Sequence, residues 1–113
     1  MNTLTLSLKK QWFDKIKAGI KKEEYREIKP YYTSRLTIQA SDDYDLILSG
    51  EISATFQYFD RLVFTLGYPK ADDPERRLVF KNPKIRIGTG KPEWGAELGK
   101  LYFVISWDKE MEK

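Results

Sequence analysis

The stretch TLTLSLKKQWFDKIKAG, residues 3–19, decides the fold prediction because its hydrophobic period changes half-way. Its first six residues alternate leucine with hydroxyl side chains, which is the period of two expected of a half-buried strand. Trp12, Phe13 and Ile16 then form a helical stripe with lysines outside it, and Gly19 is a natural C-terminal stop. A strand followed directly by a short amphipathic helix is therefore predicted.

Downstream of this stretch, the patterns predict one more short helix and a series of strands. Residues 21–28 indicate a highly charged second strand, and Pro30 can start a second helix over residues 31–38. Further strands are predicted over residues 59–66, 77–87 and 101–107, the second of them interrupted at Asn82-Pro83. Because these strands follow one another without intervening helices, the pattern favours an α+β domain over a doubly wound α/β fold. We expect a small barrel-like sheet of about five or six strands with two short helices at its edge.

The segment between the two halves of the chain, residues 39–55, is ambiguous. Its apolar run at residues 44–48 lies between two turn signals, and such a short run is compatible with a strand or a helix. At 113 residues the chain has the length of one domain, so a single domain is expected over residues 1–113, with residues 108–113 as a frayed tail.

The residue types that the chain lacks exclude several kinds of site. Without cysteine or histidine there can be no disulfide, no Cys nucleophile, no His-ligated zinc and no Ser-His-Asp triad. The first residues do not read as a signal peptide, and no window approaches the roughly 18 consecutive apolar residues of a membrane span. We therefore expect a cytoplasmic protein with no membrane partner. Asp42, Asp43 and Asp45 lack the spacing of an EF-hand loop, so they predict an acidic turn, and neither a metal nor a cofactor is expected.

The charges are segregated along the sequence although the net charge is only +3. Residues 9–35 hold nine basic and four acidic residues, and residues 76–91 hold six basic residues and no acid. Residues 41–60 hold five acids and no base. If the two basic segments meet in space, they form a positive patch that attracts phosphate; the alternative is a set of lysines that keep an ordinary surface hydrated.

A charged motif, GIKKEEYR, follows the first predicted helix at residues 19–26. Its Gly-x-Lys-x-x-Glu-x-Arg spacing comes after an N-terminal strand and a helix with Trp-Phe, and before the sequence KPYY at residues 29–32. In this context the motif resembles that of the ASCH domain of the PUA-like superfamily. One of Tyr31 and Tyr32 is expected to be buried and the other to border the site.

A second segment, GTGKPEWG at residues 88–95, is similar to its counterpart in small bacterial and prophage ASCH proteins. The resemblance covers residues 3 to 35 and 60 to 106, and it implies a PUA-like β-barrel with a cleft beside the first helix. It also implies that the Lys, Glu and Arg of the motif line this cleft, and that the ligand is RNA or a nucleotide-like molecule.

The candidate ligand-binding residues are Lys21, Glu24, Arg26, Lys91 and Trp94. In an extended segment Glu24 and Arg26 share one face; Arg26 offers a planar fork for phosphate or a base edge, and Lys21 a mobile point charge. An ordinary surface ion pair is the alternative for Glu24 and Arg26. Trp94 beside Lys91 is suited to stack on a base, unless it folds back as a lid over the end of the barrel.

The main functional prediction is a binding module for RNA or a modified nucleoside. A small hydrolase is the second, because some ASCH proteins are amidohydrolases that act on acetylated cytidine. In those enzymes the resemblance implies a Thr where this chain has Glu24, so the hydroxyl nucleophile is missing here. Any hydrolysis would use Lys21 as base or electrostatic stabiliser and Glu24 as general base for water. A protein-interaction domain is the third possibility.

Overall fold

The first strand, β1 (Thr3–Leu8), has the bounds that its alternating leucines predict. Helix α1 (Lys10–Lys17) follows directly and buries Phe13 and Ile16, two of the three apolar positions of the predicted stripe, whereas Trp12 is half-buried. The chain leaves the helix at Gly19, whose φ of 75° lies in the left-handed region that favours glycine. The predicted strand and helix are both confirmed.

The structure is a computed structural model that describes residues 1–108. Seven further elements follow α1: β2 (Glu24–Glu27), α2 (Pro30–Leu36), α3 (Tyr44–Ser49), β3 (Arg61–Leu66), β4 (Arg77–Lys81), β5 (Lys84–Thr89) and β6 (Leu101–Ser106). Short 3₁₀ turns lie at Ser41–Asp43, Pro74–Arg76 and Pro92–Trp94. In the described part of the chain, no helix has the length and apolar character needed to cross a lipid bilayer.

The first sheet has the strand order β1-β3-β4, with β3 parallel to β1 and antiparallel to β4. Its register places Leu4 beside Leu62 and Leu62 beside Phe80, and all three side chains are buried. The ring of Trp107 packs on this apolar row, with its centroid 5.0 Å from that of Phe64 and 5.3 Å from that of Phe80. The alternating leucines of the sequence are therefore the core-facing side chains of this sheet.

The second sheet has the strand order β2-β6-β5, and β2 runs antiparallel to β6. Tyr25 lies opposite Val104, and Arg26 lies opposite Phe103. Because side chains alternate along a strand, the two faces of this sheet carry different sets of residues. The face of Phe103 also carries Ile105, and both of these residues have no exposed surface.

The described chain divides into two compact units, each made of discontinuous sequence. The first unit contains the first sheet and α1, and it comprises Met1–Lys22, Phe59–Lys84 and the described residues from Ser106 onward. The second unit contains the second sheet, α2 and α3, and it comprises Glu23–Tyr58 and Ile85–Ile105. The single domain expected over residues 1–113 stays a prediction.

The α+β class is confirmed, and the six strands found within residues 1–108 agree with the expected five or six. In this described part of the chain the α-helices number three rather than two, because the ambiguous run at residues 44–48 forms α3, which ends at Gly50 with a φ of 79°. Among residues 1–108 the strands form two three-stranded sheets and no closed barrel is found, so the barrel stays a prediction.

The break predicted at Asn82-Pro83 separates two sheets rather than interrupting one strand. β4 before it belongs to the first sheet and β5 after it to the second. Asn82 adopts a φ of 54°, and its side-chain amide donates to the Asp108 carboxylate at 2.8 Å. The backbone N–H of Asp108 donates to Lys81, so this residue is held in place, and the rest of the predicted tail lies outside the described residues.

Candidate functional site

Two charged side chains of the motif, Glu24 and Arg26, lie on β2 and share one face of it, as the spacing predicts. Their partners across the strand pair are Ile105 and Phe103, which are fully buried. The shared face therefore also carries buried apolar side chains, and the opposite face carries the cluster of Tyr102, Val104 and Ala96. The alternative of an ordinary surface pair is wrong, because the two side chains are only 8% and 14% exposed.

The guanidinium of Arg26 is held by hydrogen bonds to Glu24 and Tyr32. Its Nη2 donates to Oε2 of Glu24 at 2.7 Å, and its Nη1 donates to the hydroxyl of Tyr32 at 2.7 Å. The guanidinium carbon also lies over the Tyr32 ring, 5.5 Å from its centre. Arg26 therefore has a fixed orientation.

Burial limits how much this ion pair contributes to the stability of the fold. Moving two charges out of water carries a penalty of several kcal/mol per ion, which only close geometry and further hydrogen bonds offset. Here the distance is short, and the hydroxyl of Tyr32 supplies a further bond to the cation. Such a pair adds little net stability over an apolar pair of equal volume, so its presence points to a role besides stability.

Helix α2 supplies Tyr32, and its start at Pro30 is the one that the sequence predicts. Tyr32 is half-buried and packs edge to face with Tyr31, whose ring centroid lies 4.9 Å away. Tyr31 is 61% exposed, and its hydroxyl accepts a hydrogen bond from Arg35 at 3.2 Å. The expected division is found only in part, because neither tyrosine is fully buried and the half-buried Tyr32 is the one that contacts Arg26.

The opposite face of β2 carries Tyr25, which joins the strand to the loop after β5. The Tyr25 hydroxyl donates to Glu23 at 2.9 Å and accepts from the backbone N–H of Lys91 at 3.0 Å. Its ring packs on Tyr102, with centroids 5.7 Å apart. The pKa of Tyr25 is raised to about 12, mainly by burial; the Lys91 N–H lowers it, and the Glu23 carboxylate contributes to the rise.

The loop after β5 approaches Tyr25 so closely that only glycine fits at position 90. A Cβ there would lie 2.6 Å from the Tyr25 ring and 2.7 Å from the Cβ of Ala96. Beyond this anchor, the Lys91 ammonium lies over the Trp94 ring, 4.5 Å from its centre. The indole is half-buried rather than fully exposed, and Lys91 covers one of its faces.

Lys21, the remaining motif residue, belongs to the first unit. Its backbone N–H donates to the carbonyl of Lys15, and its ammonium lies 4.3 Å from the centre of the Trp12 ring. The residue is only 2% exposed. The expectation of a mobile point charge is therefore wrong, because burial and the contact with the Trp12 ring restrain the side chain.

An exposed ion pair on the same strand offers a direct contrast. Glu27 accepts from Lys29 at 2.9 Å and pairs with Lys100 at 3.4 Å. The hydrogen bond from Lys29, with a smaller contribution from Lys100, lowers the pKa of Glu27 against the opposing effect of its slight burial. Pairs of this kind contribute about 0–1 kcal/mol, so β2 carries one buried pair and one weak surface pair.

The structure brings the candidate residues together in two groups of the second unit. Glu24 and Arg26 form one group, and Lys91 and Trp94 form the other. The anchor of the second group is Tyr25, whose side chain leaves β2 on the face opposite to that of the first group. A common cleft that joins both groups to Lys21 stays a prediction.

Two parts of this arrangement carry no signal in the sequence. The bond from Tyr32 to Arg26 joins α2 to β2, and the anchor of Lys91 on Tyr25 spans 66 residues. Gly90, directly before Lys91, is the residue in the sequence that indicates a close approach of the backbone to another side chain. In comparisons with known protein families, curated proteins and solved structures, nothing matches this chain.

Proposed function

We propose that this chain is a binding module for RNA or a modified nucleoside, of the ASCH kind and with a small PUA-like barrel, acting in the cytoplasm. The proposal takes its ligand class from the motif resemblance. Its ligand-facing groups are the Glu24–Arg26 pair and the Lys91–Trp94 pair of the second unit.

The observation that carries the proposal is the buried Glu24–Arg26 ion pair. A pair with so little exposure adds little net stability, so a role in recognition explains it better than a role in folding. Arg26 is oriented by Glu24 and Tyr32 before any ligand arrives, which lowers the ordering entropy that binding must overcome.

The chemistry of the pair suits a nucleobase or a phosphate. A guanidinium presents five N–H donors in a planar fork that matches phosphate oxygens or the acceptor edge of a base. A carboxylate accepts hydrogen bonds from an exocyclic amino group, such as that of cytosine. The pair therefore offers the Arg26 guanidinium to the hydrogen-bond acceptors of a base and the Glu24 carboxylate to its donors.

The Lys91–Trp94 pair supports the same ligand class in a different way. An indole that is part of an anchored loop can stack on a base, and such stacking contributes about 1–3 kcal/mol per base. Lys91 covers one face of the ring, so a base would stack on the other face or displace the ammonium.

The test is a titration of the purified protein with nucleosides and with a single-stranded RNA oligonucleotide, followed by calorimetry. Arg26→Lys keeps the charge and loses the planar fork, and Trp94→Ala removes the stacking surface. We expect Trp94→Ala to weaken binding by about 1–3 kcal/mol and Arg26→Lys to weaken it as well.

The matched control is Lys29→Gln, which removes a charge from the exposed pair of the same strand and should leave nucleoside affinity unchanged. Thermal unfolding of each variant separates loss of the site from loss of the fold. If neither nucleosides nor RNA bind the parent protein, the proposal fails. Turnover of acetylcytidine that disappears in Lys21→Ala would instead favour the hydrolase.

A further inference from the structure

The segment around α1 is the most basic surface of the first unit. Residues 9–22 contain six lysines and a single acid, Asp14. Five of these lysines are exposed: Lys9, Lys10, Lys15, Lys17 and Lys22. We name these five residues the α1 lysine surface. Lys21 is buried and is not part of it.

Two of these lysines share one side of the helix. Lys10 and Lys17 are seven residues apart and so project from the same face of α1. This face lies beside the buried stripe of Phe13 and Ile16, because Phe13 is three residues from Lys10 and four from Lys17. Asp14 neutralises part of the charge through its pair with Lys10 at 2.6 Å, which leaves a net charge of +5 over residues 9–22.

The charge of the whole unit reinforces this surface. The described part of the first unit holds twelve basic and six acidic residues, a net charge of +6. The second unit holds six basic and nine acidic residues, a net charge of −3. The basic segments of the sequence thus contribute mainly to the first unit, whereas the candidate nucleoside-binding pairs belong to the second.

A nucleic-acid backbone fits this surface better than a lipid bilayer does. Membrane-surface helices insert an exposed apolar face, but the apolar residues of α1, Phe13 and Ile16, are buried within the protein. Lysine ammonium groups are mobile point charges that neutralise phosphates without reading sequence. The helix is about 12 Å long at 1.5 Å per residue, a length that several phosphates of a strand can follow.

We propose that the α1 lysine surface binds the phosphodiester backbone of single-stranded RNA, outside the nucleoside-binding residues of the second unit. This proposal rests on the proposed function, from which it takes RNA as the ligand. The surface supplies affinity that depends on salt, and the Glu24–Arg26 and Lys91–Trp94 pairs supply recognition of the base.

The experiment measures anisotropy of a labelled single-stranded RNA at a series of KCl concentrations. The test variant is Lys9→Gln/Lys17→Gln/Lys22→Gln. Each lost contact with a phosphate of a single strand lowers the slope of log affinity against log salt by about 0.7, so we expect the slope to fall by about two units.

The matched control is Lys70→Gln/Lys81→Gln/Lys84→Gln. It removes three exposed lysines from the same unit, so its net charge equals that of the test variant. We expect its slope to fall by less than one unit. Calorimetry with uncharged cytidine serves as the second readout, and neither triple variant should change nucleoside affinity, since none of the six lysines belongs to the nucleoside-binding pairs.

The outcomes separate this proposal from the proposed function. Equal slopes for the two triple variants would overturn the α1 lysine surface, and nucleoside binding by the parent protein would leave the proposed function intact. A parent protein that binds phosphatidylserine vesicles but not the RNA would also overturn it in favour of a membrane. A parent that binds RNA with the expected loss in the test variant, but binds no nucleoside, would support the surface and overturn the role of the Glu24–Arg26 pair.

Discussion

The two units of this molecule place their charges in opposite ways. The first unit has a net charge of +6 and exposes five of the six lysines around α1. The second unit has a net charge of −3 but buries an ion pair, Glu24–Arg26, on β2 of its sheet. The first arrangement produces a long-range field that salt screens, and the second produces a fixed, short-range contact that salt hardly affects.

This contrast shows that the number of charged residues in a stretch of sequence does not indicate which charges are buried and fixed in the folded protein. The motif Glu24-x-Arg26 contributes nothing to net charge, yet its two side chains are among the least exposed charged groups of the second unit. The basic run of residues 9–22 contributes most of the positive charge, and its members are mainly solvated. Substitutions in the two places should therefore have very different effects on stability.

The largest expected effect comes from breaking the buried pair. Arg26→Met leaves the Glu24 carboxylate buried without the Arg26 guanidinium, and we expect the free energy of unfolding to fall by about 3–5 kcal/mol. Urea denaturation measures this loss. The double variant Glu24→Leu/Arg26→Met should recover most of it, because neither charge of this pair then remains buried. Lys29→Met, in the exposed pair of the same strand, should change stability by no more than about 1 kcal/mol; equal losses in Arg26→Met and Lys29→Met would contradict the contrast.

The next effect concerns the close approach at Gly90. Gly90→Ala puts a Cβ within 2.7 Å of both the Tyr25 ring and Ala96, so we expect overpacking to destabilise the protein by about 1–3 kcal/mol. Gly88→Ala is the matched control, because its Cβ would meet mainly the end of the flexible Arg86 side chain. Thermal unfolding compares the two variants, and a Gly90→Ala protein as stable as Gly88→Ala would show that the loop is not held against Tyr25.

A third prediction uses the titration of Tyr25, whose pKa is raised to about 12, mainly by burial. An unfolded chain ionises this phenol near 10, so between these values the folded state holds the proton more tightly. Its contribution to stability is present below pH 10 and is lost as the pH rises toward 12. We expect urea midpoints to fall over this window more steeply for the parent protein than for Tyr25→Phe, and identical pH profiles would refute the anchoring role of this tyrosine.

The smallest effect on the free energy of unfolding is expected for the exposed lysines of the first unit. Exposed lysines away from close contacts contribute little to stability, so Lys17→Gln should change the free energy of unfolding by at most about 0.5 kcal/mol. At low salt the sign should be stabilising, because the substitution relieves repulsion among the lysines of this segment. Urea denaturation at low and high salt measures the effect. A loss close to that of Arg26→Met would mean that these lysines are structural.

The elements with a clear period could be predicted from the sequence, and the short apolar run could not. The leucines of β1 alternate strictly, and α1 combines a helical stripe with a glycine stop, so local pattern alone decides both. The run that forms α3 is six residues long and fits either period. Its helical form depends on flanking geometry, such as the left-handed Gly50, which sequence spacing does not decide.

The candidate site shows the same division between local and long-range information. The shared face of Glu24 and Arg26 follows from the alternation of a strand, so it could be predicted. The buried apolar residues beside them, Phe103 and Ile105, come from β6, which lies about 80 residues further along the chain. The burial of Lys21 was missed for a related reason, because a lysine after a turn is normally solvated and only the packing on Trp12 reverses this.

The discontinuous sequence of the two units has a consequence for how the chain is made. β1 pairs with β3, which follows it by about 60 residues, and β2 pairs with β6, which follows it by about 80. Such a high contact order slows folding, since distant segments must meet before their contacts form. During synthesis, β2 emerges from the ribosome long before its partner, so the strand pair that carries Glu24 and Arg26 forms only after β6 has been translated. The sheet in which these two charges are buried is thus completed late in the synthesis of the chain.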